Sequence, residues 1–434
     1  MAERSLLSDM LRRVALAARL TGLSAAGGRQ DTITLCDELL SDRGEVSGLV
    51  GALQILDQFE AMSPDEQLAF FKGVSGRFGV DKAALRQAIA AWGDDSAGDA
   101  GQDAGDDAGA RNIHNLSEPR SQELIRRINR VPGATARLVS MREKLVSMLK
   151  YHPDLAGLDR DFLHLFSSWF NRGFLEIQRI DWSTPAAVLE KIISYEAVHE
   201  ITGWEDLRQR VADPDRRLFA FFHPAMPGDP LIFVEVALMA SVPGAIGDIL
   251  SDARVRLDPA AARVGVFYSI SNCQKGLRGI SFGNFLIKQV VSELAGELPG
   301  LTTFVTLSPV PSLRKWAAGA FASQDAILDG IAPLAPDDTP APDLAARIAA
   351  RYLTQARRAG GTAFDPVAHF HLGNGATLHA VHAGADDSAP GTENSWGVMV
   401  NYLYDGNMIE ANHQAYVSDG QIVTSPKVRS LAKK

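Results

Sequence analysis

The sequence predicts an α+β chain with an all-helical N-terminal domain over residues 1–190 and a mixed-sheet α/β domain over 191–434. Three observations carry this. Apolar residues in the first half recur at helical spacing with almost no β-branched alternation. After about residue 200, apolar runs of strand length appear, separated by Pro/Gly turns. Between Phe267 and Val290 an apolar segment enters a Gly-punctuated turn that opens an amphipathic helix.

In the first domain, Leu6, Leu7, Met10, Leu11, Val14 and Ala18 follow a helical period. Ser63-Pro-Asp-Glu supplies a cap, a first-turn proline and acidic residues for the next helix. Asp81 caps a helix over Lys82–Trp92, and Gly133–Leu149 and Asp161–Phe170 continue the pattern. Thr184-Pro-Ala-Ala-Val opens another. Residues 93–110 consist mainly of Asp, Gly and Ala and are read as a disordered acidic loop, because such a composition buries no apolar surface.

In the second domain, Arg217–Pro224 and Leu231–Leu238 flank the turn Met226-Pro-Gly-Asp-Pro and predict a hairpin. A strand over Arg263–Ile270, a helix over Phe282–Leu298, a strand over Thr302–Leu307 and a short helix over Pro311–Ala318 follow. Residues 323–360 read as helical around a Pro-rich break at 333–342, and strands over Thr377–His382 and Val398–Tyr404 close the order.

Composition narrows the function classes. With 434 residues, 46% hydrophobic and 22% charged, the chain is an ordinary globular protein with a large core. A net charge of −9 argues against a nucleic-acid partner. Two cysteines, Cys36 and Cys273, build no disulfide framework and suit a reducing compartment. No apolar run reaches membrane-spanning length, and the N-terminus has neither a signal-peptide core nor a transit-peptide composition. A bacterial cytoplasmic enzyme is expected.

Few residues stand out as chemistry-bearing. The turn at Arg278-Gly-Ile-Ser-Phe-Gly283 before a helix is a site for a phosphate or pyrophosphate: small residues admit a ligand to the backbone N–H groups, and the helix end adds partial positive charge. It matches neither G-x-x-x-x-G-K-[ST] nor G-x-G-x-x-G. It is similar to the R/Q-x-x-G-x-G/A loop with which the GNAT acyltransferase fold holds coenzyme A, although Ser281 stands where that pattern has its first Gly. Ser308 precedes Pro309 at the end of a strand, outside any G-x-S-x-G elbow, and reads as a hydrogen-bonding residue. His369 and His371, read as alternate residues of a strand, would share one face. No third ligand falls at metal spacing, so no metal is expected; one histidine suffices as a proton donor. His223 reads as a turn residue, and Trp316 and Trp396 as core.

Together these segments resemble the malonyl-CoA decarboxylase family. The resemblance rests on His223-Pro-Ala-Met-Pro-Gly-Asp-Pro-Leu231, Phe267-Tyr-Ser-Ile-Ser, Gly276–Lys288, Leu307-Ser-Pro-Val-Pro311, Phe370–Ala376 and Asn401-Tyr-Leu-Tyr404, in the family's order between residues 223 and 404. It implies a helical oligomerisation domain, a GNAT-like catalytic domain, malonyl-CoA as substrate and self-association as a homotetramer or homodimer. It also implies that Ser308 and His371 are the catalytic proton acceptor and donor, with Tyr404 in the same site. Arg278, Gly279, Ile280, Ser281, Phe282, Gly283 and Asn284 match the segment that binds the CoA thioester. Animal members carry Glu at the position of Ser281, so any role of that Glu is absent or moved here. The chemistry implied uses no cofactor. The alternatives are a GNAT-type acetyltransferase, a non-catalytic acyl-CoA-binding protein and a thioesterase.

Overall fold

In the computed structural model, which describes residues 31–41, 45–95, 103–280, 285–335 and 337–433, the chain divides into two compact units. The first comprises the described residues up to Phe174, with His223–Pro227 and 274–280. The second comprises Leu175–Phe222, Gly228–Cys273 and the described residues from 285 onward.

The first unit is helical, and its starts are set locally. Ser63 and Glu66 form a capping box ahead of Pro64–Arg77: the Ser63 N–H donates to Glu66 Oε2 at 2.7 Å, and the Glu66 N–H donates to Ser63 Oγ at 3.4 Å. Asp81 Oδ1 accepts from the N–H groups of Ala83 and Ala84 at 3.0 Å and starts Lys82–Asp95. Phe59, Phe70 and Phe71 pack ring on ring at 5.3–5.9 Å, as do Phe166 and its neighbours Phe162 and Phe170.

The acidic segment departs from expectation. Helices cover Lys82–Asp95 and Asp103–Ser117, so the loop read over 93–110 is helical at both ends, while 96–102 lie outside the described residues. Alanine is a strong helix former, and the two helices pack on each other. A Cβ at Gly109 would sit 2.5 Å from the Trp92 ring, so glycine there permits the close approach.

Residues 274–280 dock within the same unit against the helix Ala134–Met148. A Cβ at Gly276 would lie 1.9 Å from the Val139 carbonyl oxygen. Buried Arg142 donates to Asp159 at 2.8 Å and to the Gly276 carbonyl at 2.7 Å. His223 also closes a turn here: Nδ1 accepts from the Ala225 N–H, Nε2 meets the Trp169 carbonyl at 3.0 Å, and the ring lies 4.9 Å from that of Phe170.

The second unit is built on an eight-stranded sheet of order β1-β2-β3-β4-β5-β8-β6, with β7 also on β8. The strands are β1 (Glu176–Ile180), β2 (Arg216–Phe222), β3 (Ile232–Met239), β4 (Val264–Asn272), β5 (Thr303–Thr306), β6 (Ser308–Pro309), β7 (Thr377–His382) and β8 (Met399–Leu403). The β2–β3 hairpin forms as the turn chemistry predicts. β1 falls in a stretch read as helical. Its pairing with β2, from Glu176↔Phe222 to Ile180↔Leu218, is a tertiary contact that local periodicity does not contain.

All pairings are antiparallel except β4 with β5, which the helix Phe285–Glu297 links as a crossover. That parallel pairing stops at Phe267↔Thr306. β4 then continues on β3 to Asn272, while the other chain passes Leu307 and joins β8 as β6. The sheet therefore opens at the C-terminal ends of a parallel pair, the place where open α/β sheets bind ligands. Val264, Val266, Tyr268, Val305, Leu307 and Met399 share one core cluster; helices Ala186–Tyr195 and Trp204–Ala212 pack in another, against β2 and β3. No described helix is long and apolar enough to cross a membrane. Cys36 and Cys273 are free and buried, and burial pushes the Cys36 thiol up to about 12.

Candidate active site

Ser308 stands where β5 has ended and β6 has begun. Pro309 has no N–H to offer a further ladder, so β6 is two residues long: Ser308↔Val400 and Pro309↔Met399. The Ser308 side chain is buried, and its hydroxyl donates to Thr306 Oγ1 at 2.9 Å. Ser308 Oγ also lies 3.2 Å from His371 Nε2.

His371 is carried by a helix, Pro366–Gly373, and not by the strand that the alternate histidines suggested. Both ends of this helix are built locally. Asp365 caps it, accepting from the N–H groups of Val367 and Ala368 at 2.9 and 3.0 Å, and Pro366 occupies the first turn. At the other end the Ala376 N–H donates to the His371 carbonyl and the Gly375 N–H to the Leu372 carbonyl, a Schellman closure around Gly375 at φ +81°. A Cβ on Gly375 would lie 2.1 Å from the Ile409 carbonyl oxygen, which leaves glycine as the residue that fits. On a helix, residues two apart point about 200° from each other. His369 accordingly turns away, and its Nδ1 meets the Tyr416 hydroxyl at 2.8 Å.

His371 Nδ1 lies 2.8 Å from the hydroxyl of Tyr404, and the imidazole stacks on Tyr402 at 4.6 Å with an interplanar angle of 23°. The ring is therefore held by a hydroxyl at each nitrogen and an aromatic face. Burial drives the His371 pKa down to about 3, so the imidazole is neutral at pH 7. Burial also holds the Tyr404 and Tyr402 phenols well above their ordinary range, and both stay protonated. A neutral, buried imidazole between hydroxyls can donate a hydrogen bond to developing negative charge and pass a proton along the chain.

The chain can now be placed among known proteins. Residues 173–434 match the model of the malonyl-CoA decarboxylase C-terminal domain, and residues 78–170 match that of the malonyl-CoA decarboxylase N-terminal domain. The chain belongs to the malonyl-CoA decarboxylase family. It is 34% identical over 353 residues to the mitochondrial malonyl-CoA decarboxylase of Anser anser anser, covering 72% of this chain and 69% of that protein. It is also similar to crystal structures of malonyl-CoA decarboxylases from two bacteria. That from Rhodopseudomonas palustris is 47% identical with a TM-score of 0.84, over 92% of this chain and 98% of the other. That from Agrobacterium vitis is 47% identical with a TM-score of 0.84, over 93% and 100%.

In this decarboxylase-family chain, Ser308, His371 and Tyr404 come together, although 63 and 33 residues separate them pairwise along the chain. Arg278 lies in the first unit, exposed; its backbone N–H donates to the Lys275 carbonyl at 3.1 Å, and its side chain makes no hydrogen bond or ion pair among the described residues. Gly279 adopts φ +88° beside it, and Ile280 is buried. Ser281, Phe282, Gly283 and Asn284 lie outside the described residues. Among the described residues no group of three or more His, Cys, Asp or Glu side chains could hold a metal ion. Two residues at the site escaped the sequence reading, Thr306 and Tyr402. The signal for both was strand alternation: Thr306 and Ser308 are two apart, as are Tyr402 and Tyr404.

Proposed function

We propose that this chain converts malonyl-CoA to acetyl-CoA and CO2, with Ser308, His371 and Tyr404 acting on the malonyl group and Arg278–Asn284 binding the CoA. The observation that carries the reading is the neutral, buried His371 held between the Ser308 and Tyr404 hydroxyls in a chain of this family. Malonyl-CoA carries its carboxylate β to a thioester. Breaking the C–C bond releases CO2 and places the electron pair on the thioester carbonyl as an enolate, so the substrate is its own electron sink. The scheme draws on no cofactor.

The protein's tasks are then three. The carboxylate must be held out of the carbonyl plane, so that the breaking bond overlaps the π system. The enolate oxygen must meet a preorganised donor. The enolate carbon must receive one proton. Ser308, the acceptor of the pair, takes a hydrogen bond from His371 Nε2 and sets the ring toward the malonyl group. His371 gives its Nε2 proton to the enolate carbon while its Nδ1 takes the proton of the Tyr404 hydroxyl, which solvent then restores. Arg278 and the glycines beside it meet the pyrophosphate. The proposal includes self-association, as a homodimer or homotetramer, and a bacterial cytoplasmic location, which two free cysteines suit.

The experiment is to incubate the purified chain with malonyl-CoA, without added metal or cofactor, and to follow CO2 and acetyl-CoA together. Equal amounts of both are expected. Release of free CoA with malonate would replace this reading with a thioesterase. CoA release that depends on an added amine would point to an acetyltransferase, and unchanged malonyl-CoA to a binding protein.

A further inference from the structure

Thr306 lies directly behind the pair. Its side chain is fully buried, and its Oγ1 accepts from two donors: the backbone N–H of Tyr402 at 3.2 Å and the Ser308 hydroxyl at 2.9 Å. A hydroxyl oxygen has two lone pairs, so both acceptor places are filled. The N–H of Tyr402 is a permanent donor and cannot reverse. The backbone around Thr306 is held as well, because buried Asn401 donates through Nδ2 to the Thr306 carbonyl at 2.8 Å. In the contact between the two hydroxyls, Ser308 Oγ is the donor and Thr306 Oγ1 the acceptor.

A serine hydroxyl carries one proton. If that proton points to Thr306, Ser308 Oγ can only accept along its 3.2 Å contact with His371 Nε2. The ring must then carry its proton on Nε2, and Nδ1 must accept from the Tyr404 hydroxyl at 2.8 Å. We propose that Thr306 is a positioning residue, which takes the Ser308 hydroxyl proton and thereby fixes His371 as its Nε2–H tautomer. The direction matters for chemistry. A Ser hydroxyl donating to an imidazole nitrogen is the arrangement that activates serine as a nucleophile. With the proton turned to Thr306 the imidazole is a donor and Ser308 is left unactivated, as protonation of an enolate requires. The inference rests on the Ser308/His371 reading above.

The first test uses the native chain: ¹⁵N spectra of its histidine rings, assigned to His371 by comparison with His371→Gln. A proton on Nε2 is expected, and a proton on Nδ1 overturns the proposal. The second compares Thr306→Val, which keeps shape and loses the acceptor, with Thr306→Ser, which keeps the acceptor. In Thr306→Val, kcat should fall at least tenfold with KM within threefold, and Thr306→Ser should recover most of that loss. A valine variant that turns over like the native chain, a loss that serine does not restore, or a loss carried by KM would each overturn the role. Ser308→Ala measured alongside separates the two claims. Native turnover in that variant sinks the reading on which the inference rests. Its loss beside an unaffected Thr306→Val sinks Thr306 alone.

Discussion

At pH 7 the buried ring of His371 is neutral and acts through hydrogen bonds to Ser308 and Tyr404. Its pKa of about 3 lies below that of an exposed histidine because burial penalises the cation. Between pH 5 and 8, kcat should therefore show no acid limb from this residue, and a limb near 6.5 in the pH–rate profile would contradict the assignment. The linkage has a definite sign. The unfolded chain takes up a proton at His371 as pH falls below about 6.5, while the folded chain resists until about 3. The stability this group contributes is thus present above 6.5 and lost as pH drops through that window. Ser308→Ala and His371→Gln should each lower kcat by about a hundredfold or more, with KM nearly kept, since His371 works on the developing charge and Ser308 holds its ring in place. Steady-state kinetics on malonyl-CoA would check this.

The helix Pro366–Gly373 carries His371, and both its ends are closed by short-range chemistry. Asp365 is buried, caps the first turn and also accepts from the Tyr352 hydroxyl at 3.3 Å. Asp365→Ala should cost about 1–2 kcal/mol of stability through the lost cap. It should also reduce kcat, because the helix start fixes where His371 points; denaturant melts and turnover measured on the same preparation would test both. These caps were legible as Asp-Pro and Gly-Asn-Gly, yet the segment reads as a strand when its alternate histidines are given more weight than its punctuation. The acidic stretch around Asp103 misleads in a related way. Its composition argues for a loop, but a neighbouring helix supplies packing that composition cannot register.

On the scale of the molecule, residues 274–280 follow β4 in sequence yet belong to the helical unit, tied there by Arg142 and by the close approach of Gly276 to Val139. That anchoring presents Arg278 as an exposed cation. Arg278→Ala should raise KM for malonyl-CoA about tenfold with kcat within twofold, the loss of one charge-assisted contact to phosphate. A fall confined to kcat would move Arg278 from binding to chemistry.

Much of this protein can be read from the chain without coordinates. Caps, proline positions, turn residues and apolar periodicity are set by neighbours a few residues apart, and they place the capped helices at Ser63 and Asp81, strands β2 to β5, β7 and β8, and the crossover helix after the Gly-punctuated turn. The ordered segments from His223 to Tyr404 likewise point to the family before any geometry is known. The tertiary structure decided the rest. It paired β1 with β2, ended the β4–β5 pairing at Phe267↔Thr306, and put Thr306, Ser308, His371, Tyr402 and Tyr404 into one hydrogen-bonded and stacked set. Those contacts join residues far apart in sequence, and a hydrogen bond at that separation has no local signature. It forms only once burial has paid the entropy of closing the loops between them.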